Sequence, residues 1–242
     1  MADLAAVASL TELAERIRPT APAAERILPV VDELITIFPW GGLSRGSTVA
    51  VRGSTSFALA TIAAASASGS WLAVVGTDSI GWSTASDLGV DLSRVLVVPR
   101  VPVGDWAAVV AALVDAVDVT LVSPTHAVSA RDARRLAARA RERGAVLLVS
   151  ESRFAWPTEP DVSIQVSGEW SGIGRGHGRL RARRVTVATS GRRGAARPRH
   201  LQLWLPTAEG GLGSVEGGLG SVEGGLGSVE GDMSPPLRLV GS

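Results

Sequence analysis

Short apolar runs that alternate with helix-like stretches are the feature that most constrains the fold of this chain. Four of the runs are rich in β-branched residues, and they lie at Trp71–Val75, Val95–Val98, Val119–Val122 and Ala145–Val149. Such continuous apolar character is typical of parallel strands that are buried on both faces. The stretches between them predict helices at Ser83–Leu88, Trp106–Val117 and Ser129–Arg143. This alternation predicts an α/β fold with a doubly wound, mainly parallel sheet.

The pattern changes after Trp156, where apolar and polar residues begin to alternate. Leu180–Val187 and His200–Leu205 each have one polar and one apolar face, which is typical of half-buried strands. The turn-rich segment Gly191–Arg199 separates them. We therefore predict an antiparallel pair of strands at one edge of the sheet.

Composition limits the possible function classes. The chain has 242 residues and 45% hydrophobic residues, enough for one sizeable core, and no cysteine for disulfides or thiolate metal sites. Its net charge of +1 gives no whole-molecule argument for nucleic-acid binding. The N-terminus lacks the basic start of a signal peptide, and no apolar run approaches the ~20 residues that span a bilayer. We expect a cytoplasmic protein that does not enter the membrane.

Three parts follow from the sequence: a segment at 1–25, a core at 26–206 and a tail at 207–242. Apolar residues of the first segment recur at helical spacing: Leu4, Val7, Leu10, Leu13 and Ile17. Two readings stay open, a helix that docks on its own core and a helix that binds a partner. The tail contains the heptapeptide Gly-Gly-Leu-Gly-Ser-Val-Glu three times between Gly210 and Glu230. Because glycine is unfavourable in helices, we predict a flexible tail.

Gly53 begins a stretch that has the position of a phosphate-binding loop without its chemistry. It follows the strand-like run Thr48–Val51 and leads into a helix-like run. A working loop reads G-x-x-x-x-G-K-[ST], in which the lysine reaches the phosphates and the hydroxyl holds Mg²⁺. Counted from Gly53, these positions carry Ala58, Leu59 and Ala60, and the chain contains no lysine. The sequence therefore predicts no catalysis and no cofactor.

Longer segments resemble bacterial RecA recombinases. Leu34–Gly46 is similar to the segment that enters the RecA core, and Leu88–Leu96 is similar to the LGVD segment. Ala116–Ser123 resembles the strand that ends in the Walker B aspartate, a position that Ser123 occupies here. Within that superfamily, this small, lysine-free chain with such a site resembles the ImuA family, and in particular its mycobacterial-type form, ImuA-prime. The resemblance implies an accessory factor of the SOS-induced mutagenic polymerase assembly, with RecA and the polymerase-like protein ImuB as partners.

The same resemblance assigns further positions around the nucleotide loop. Asp78 falls about where RecA proteins carry a catalytic glutamate. Ser150 and Glu151 stand where those proteins have an Asn–Gln pair that senses the γ-phosphate. The chain thus departs from the RecA pattern at several points that ATP hydrolysis requires.

An arginine-rich stretch is the best candidate for an anionic partner. Nine arginines and no acidic residue lie between Trp170 and His200. Gly172–Gly178 corresponds to the second DNA-binding loop of RecA proteins. We expect contact with single-stranded DNA or with an acidic protein through a set of basic residues: Arg175, His177, Arg179, Arg181, Arg192 and Arg193.

Two other functions compete with the accessory role. One is an ATP-dependent recombinase, against which the missing lysine and Walker B aspartate argue. The other is a division inhibitor similar to SulA, which leaves the full-length core and the long N-terminal segment without a purpose.

Overall fold

A computed structural model describes residues 26–76, 80–151, 153–174, 177–192 and 195–215. The apolar face predicted between Leu4 and Ile17 lies outside the described residues, as do Asp78, Arg175 and Arg193. The tail from residue 216 onward also lies outside them. Within the described part of the chain, no helix combines the length and apolar character needed to cross a membrane.

Strands and helices alternate through most of the chain. The strands are β1 Ile27–Pro29, β2 Gly42–Ser44, β3 Thr48–Arg52, β4 Leu72–Val75, β5 Val95–Val98, β6 Val119–Val122, β7 Val146–Glu151, β8 Val162–Gly174, β9 His177–Gly191, β10 Arg199–Trp204 and β11 Gly213–Ser214. The α-helices are α1 Thr55–Ala67, α2 Trp82–Asp87, α3 Trp106–Ala116 and α4 Ala130–Arg143. Short 3-10 helices occupy Asp32–Ile37 and Leu92–Arg94.

The described residues build one large sheet with the strand order β11-β10-β9-β8-β3-β7-β6-β4-β5. The six strands from β8 to β5 are parallel to one another, and β9, β10 and β11 follow as antiparallel strands. The predicted α/β class, with a mainly parallel sheet and antiparallel edge strands, is confirmed. β1 and β2 form a separate antiparallel pair.

Helices cover both faces of the sheet, so two apolar cores form. One core contains α1 and α2 residues such as Phe57, Ile62 and Ala85. The other contains Val110 and Leu113 of α3 together with Leu136 of α4. Successive residues of a strand point to opposite faces, which is why Val49 and Val51 join the first core and Ala50 the second.

Helix α4 begins and ends where its sequence predicts. The Ser129 hydroxyl accepts a hydrogen bond from the Asp132 N–H at 3.0 Å, and Gly144 ends the helix with a φ of +68°. On its surface, Arg139 and Arg143 both bind the Asp115 carboxylate of α3. Burial alone would raise the pKa of Asp115, but the hydrogen bonds and charges of the two arginines outweigh it and lower that pKa.

Two sequence-based boundaries are corrected by the sheet. Gly172–Gly178, predicted as a loop, contributes Gly172–Gly174 to β8 and His177–Gly178 to β9. The core also continues past the predicted boundary at residue 206, because Gly213 and Ser214 pair with Trp204 and Leu203. The physical reason is that the edge of β10 has backbone groups to satisfy, and even a glycine-rich strand can supply partners for them.

Candidate functional site

The turn between β3 and α1 is too short to enclose a phosphate. Only Gly53 and Ser54 separate the end of β3 from the first residue of α1. The Ser54 hydroxyl accepts a hydrogen bond from the Phe57 N–H at 3.1 Å. One of the N–H groups at the start of the helix therefore already has a partner within the protein. A phosphate-binding loop instead keeps a row of N–H groups open toward its ligand.

Gly53 is held against a neighbouring strand. Its φ is +92°, and a Cβ atom at this position would lie 2.0 Å from the backbone carbonyl oxygen of Val166 on β8. Glycine is therefore required both by the backbone conformation and by the close approach of β8. The side of Gly53 toward which a Cβ would project is therefore filled by the backbone of β8.

Three residues assigned to the degenerate loop lie inside α1 and face the core. Ala58, Leu59 and Ala60 are 0%, 3% and 1% exposed. The sequence comparison placed them at the mouth of a ligand site, whereas the structure places them in the body of a buried helix. The reason is that α1 begins at Thr55, earlier than a phosphate loop of the usual length would allow.

The remaining residues of the predicted nucleotide site are used in local contacts. The Ser123 hydroxyl donates to the Ser150 carbonyl oxygen at 3.4 Å. The Glu151 carboxylate accepts from the Arg52 Nε at 2.9 Å and from the Trp156 N–H at 2.6 Å. Across the residues that the structure describes, no group of His, Cys, Asp and Glu is arranged to hold a metal ion.

β8 and β9 form a basic ribbon that continues beyond the end of β3. β3 pairs with β8 only as far as Gln165, and β10 pairs with β9 only from Arg184 onward. Arg183 also exchanges backbone hydrogen bonds with Leu205 and Pro206, and the paired residues beyond these points are Trp170–Gly174 of β8 and His177–Arg183 of β9. We call them, together with Arg184, the basic ribbon. It replaces the DNA-binding loop that the sequence resemblance implied.

The basic ribbon combines exposed arginines with an exposed aromatic ring. Arg179 and Arg181 are exposed, and Trp170 is 48% exposed. Trp170 pairs with Arg183, so both side chains stand on one face of the ribbon. Basic groups beside an aromatic ring are typical of surfaces that bind single-stranded nucleic acid. Trp170 was missed by the sequence analysis, although its position just before the arginine run is visible there.

Arg192 lies elsewhere, at the opposite end of the antiparallel strands. Its guanidinium binds the Glu159 carboxylate at 2.7 Å. The structure therefore separates Arg192 from Arg179 and Arg181, with which the sequence analysis had grouped it. The cause is the length of β9, which carries Arg179 near its start and Gly191 at its end.

A cavity of about 160 Å³ opens at this second edge, where β3 and β8 begin. Its lining includes Trp40, Arg45, Arg141, Asp161 and Arg192. Two of the arginines have acidic partners, since Arg45 binds Asp118 and Arg192 binds Glu159. This cavity could not be predicted from the sequence, because its lining residues are far apart in the chain.

An exposed apolar surface lies beside the cavity. Ile27, Ile35 and Trp40 are 39%, 41% and 59% exposed. The two isoleucines lie next to the glycines that follow Trp40. A Cβ built on Gly41 would lie 3.7 Å from the Ile35 Cγ2, and a Cβ built on Gly42 would lie 2.7 Å from the Ile27 Cγ2. We call these three side chains the apolar surface. Grouped apolar side chains of this kind mark protein interaction sites more often than isolated ones do.

Comparison with known proteins places the chain in a family. The family described as MT3502 N-terminal domain matches residues 36–158, which include the strands from β2 to β7 and all four α-helices of the described chain. The chain belongs to the MT3502 N-terminal domain family. The match includes Trp40, the turn at Gly53 and helix α1, and it ends before the basic ribbon.

A similar protein comes from Mycobacterium tuberculosis strain H37Rv and is named "Uncharacterized protein Rv3395c". The two sequences are 32% identical over 132 residues, a stretch that covers 54% of this chain and 56% of the mycobacterial protein. The chain thus spans about half the length of the curated relative that it matches. The name of that relative assigns no ligand or partner.

Proposed function

We propose that this protein is a non-catalytic, RecA-like accessory factor of the ImuA type. It acts in the cytoplasm within the SOS-induced mutagenic translesion-synthesis assembly, where it binds RecA and ImuB. The observation that carries the proposal is the closed turn at Gly53 and Ser54. A protein of this sheet architecture with that turn has no cradle for a nucleotide among its described residues, which favours a role in binding over a role in turnover.

The apolar surface supports a protein partner. Trp40 exposes more than half of its surface, and large aromatic side chains of this kind supply much of the energy of protein interfaces. Arg141 lines the adjacent cavity, is exposed and adds a basic group at the rim. A partner with an apolar patch bordered by acidic residues would complement this arrangement. The residues from Leu4 to Ile17 are the second proposed contact with RecA or ImuB.

A capture experiment with purified RecA and purified ImuB tests the proposal. The immobilised protein should retain at least one of the two partners, and Trp40→Ser should weaken that retention by about tenfold, as expected for a central interface aromatic. Trp170→Ser is the control, because it removes another exposed tryptophan (48% against 59% for Trp40) from a different surface. Deletion of residues 1–25 separates the contribution of the N-terminal segment. The proposal is wrong if neither protein is retained.

ATP turnover distinguishes the accessory role from the recombinase alternative. We expect no phosphate release above the buffer rate, either alone or with single-stranded DNA. DNA-stimulated release that disappears on substitution of Asp78 would favour a recombinase. A division inhibitor similar to SulA would instead be revealed by arrest of cell division on expression, without capture of RecA or ImuB.

The basic ribbon supports a contact of a different kind, with single-stranded DNA. Arg179, Arg181 and Trp170 offer phosphate-binding and base-stacking groups on one exposed hairpin. Arg179→Gln with Arg181→Gln should lower oligonucleotide affinity and reduce the slope of log affinity against log salt by about one per arginine. Arg197→Gln, an exposed arginine outside the ribbon, serves as the charge-matched control.

A further inference from the structure

The edge strand β11 occupies a position with specific sequence requirements. Its residues Gly213 and Ser214 pair with Trp204 and Leu203 of β10. The preceding Leu212 packs against the apolar core on the α1 side of the sheet. We call this position beside β10, with the turn that leads into it, the edge seat.

The turn into the edge seat depends on glycine and on a hydroxyl group. Gly210 and Gly211 have φ values of +100° and +69°, which side-chain-bearing residues rarely adopt. The Thr207 hydroxyl donates to the Gly210 carbonyl oxygen at 2.6 Å. Gly213 must also lack a Cβ, which would lie 2.7 Å from the Thr207 Cγ2.

Each requirement of the edge seat is met again by the second and third heptapeptides. Ser214 and Ser221 supply the hydroxyl three residues before the next two Gly-Gly pairs, as Thr207 does before the first. The remaining matches to Gly210, Gly211, Leu212, Gly213 and Ser214 are Gly217, Gly218, Leu219, Gly220 and Ser221 in the second repeat, and Gly224, Gly225, Leu226, Gly227 and Ser228 in the third. Ser214 and Ser221, which take the place of Thr207 in the later repeats, lack the methyl group that lies close to Gly213 in the first.

We propose that the edge seat is a binding site for the Gly-Gly-Leu-Gly-Ser-Val-Glu heptapeptide, and that the three repeats of one chain exchange within it. When the second or third repeat occupies the seat, the residues before it form a longer connection from β10. The length of tail beyond the sheet then changes in steps of seven residues.

The cost of such a shift is small. The connection between Trp204 and Gly213 has eight residues, 205–212, in the described arrangement. Occupation by the second repeat adds seven, which nearly doubles the loop. Each doubling of a flexible loop disfavours closure by about threefold. Because the contacts in the seat are the same, the shifted arrangements are populated within about an order of magnitude of the first.

Exchange within one chain should dominate over exchange between two chains. A short flexible connection keeps a tethered peptide at an effective concentration of about 1 mM. A second copy at micromolar concentration supplies far fewer repeats. The chain's own repeats are therefore the occupants of the edge seat.

Cysteine trapping provides a direct test, because the natural chain has no cysteine. The residues that follow the described pairs in register are Gln202 on β10 and Val215 after β11. Gln202→Cys with Val215→Cys should form an intramolecular disulfide under mild oxidation. Gln202→Cys with Val222→Cys should form one as well, because Val222 is the matching residue of the second repeat. Gln202→Cys with Val240→Cys is the control for random encounter and should react at least tenfold more slowly.

A stability experiment gives an independent readout. Leu212→Ser should lower the melting temperature of a chain that ends at Glu216 by about 5 °C, since no other repeat can fill the seat. In the full chain, Leu219 or Leu226 replaces Leu212, and the decrease should be below about 2 °C. Leu201→Ser, on β10 and outside the repeats, should lower both melting temperatures equally.

Two results would overturn the proposal. One is a decrease for Leu212→Ser that is the same with and without the later repeats. The other is a disulfide at Val222 that forms no faster than the one at Val240, or that links only two different chains.

Discussion

Arg45 and Asp118, 73 positions apart in the chain, form an ion pair with an Nη1–Oδ1 distance of 2.8 Å at the amino edge of the sheet. Asp118 is only 4% exposed and also accepts a hydrogen bond from the Trp71 N–H at 2.9 Å. One carboxylate thus joins the start of β4, the start of β6 and the turn before β3. The pair supports the cavity wall beside Trp40.

Loss of the Asp118 charge should destabilise the fold. Asp118→Asn keeps an oxygen acceptor but leaves Arg45, whose side chain is 18% exposed, without its counter-charge. We expect a loss of about 2 to 4 kcal/mol in the free energy of unfolding. Denaturation in urea measures it, with Asp87→Asn, at an exposed residue of α2, as the charge-matched control. A loss no larger than that of the control would contradict a structural role for this pair.

The close contact at Gly53 can be separated from its backbone conformation by a pair of substitutions. Gly69 has a similar φ of +101°, but nothing lies within 4 Å of a Cβ built there. Gly69→Ala should cost about 1 kcal/mol for the conformation alone. Gly53→Ala should cost about 3 kcal/mol, because the Val166 carbonyl must also move. Equal losses for both variants would mean that β8 yields freely at this point.

Reintroducing the lysine of a phosphate loop should harm the protein without restoring chemistry. Leu59 is 3% exposed, so Leu59→Lys places an ammonium group inside the core. We expect a loss of about 3 to 5 kcal/mol and no ATP binding by equilibrium dialysis. Ala67→Lys is the control, since it adds a lysine to the exposed last turn of the same helix and should change stability by less than about 0.5 kcal/mol. Tight ATP binding by the Leu59→Lys variant would refute the closed-turn interpretation.

Asp115 should make stability depend on pH in the acid range. Its pKa is lowered below the ordinary value of 3.8 in the folded state. Its contribution is therefore complete above the unfolded-state pKa and is lost as the pH falls through the folded-state pKa. Asp115→Asn should cost about 1 kcal/mol at pH 7, and this cost should shrink as the pH falls below 3.8, measured by urea denaturation. Asp105→Asn is the control, because it removes an exposed carboxylate that makes no capping hydrogen bond. The stability difference between this variant and the parent protein should not change with pH in the same way.

The sequence predicted the parallel part of the fold well, because its signals are local. The strand Val119–Val122 was predicted from its continuous apolar run, and the helix that ends at Gly144 was predicted from its capping residues. The antiparallel pair of β9 and β10 was also predicted correctly. The long strand β8 was missed, since its exposed half carries serine and glycine instead of an alternating apolar pattern.

The candidate sites were harder to predict because they depend on contacts between distant residues. Spacing alone assigned Leu59 to a ligand site, but spacing does not report that Val166 closes against Gly53. Likewise, Arg45 and Asp161 meet at one cavity only because β3 and β8 begin at the same edge. The partners RecA and ImuB and the absence of ATP turnover stay predictions.

The contact between Gly53 and Val166 has a mechanical consequence for the hairpin that carries Trp170. The Val166 carbonyl at the base of that hairpin lies against Gly53, which directly precedes Ser54, the N-cap residue of helix α1. A force that a bound molecule exerts on the hairpin would therefore act directly on the turn that begins helix α1.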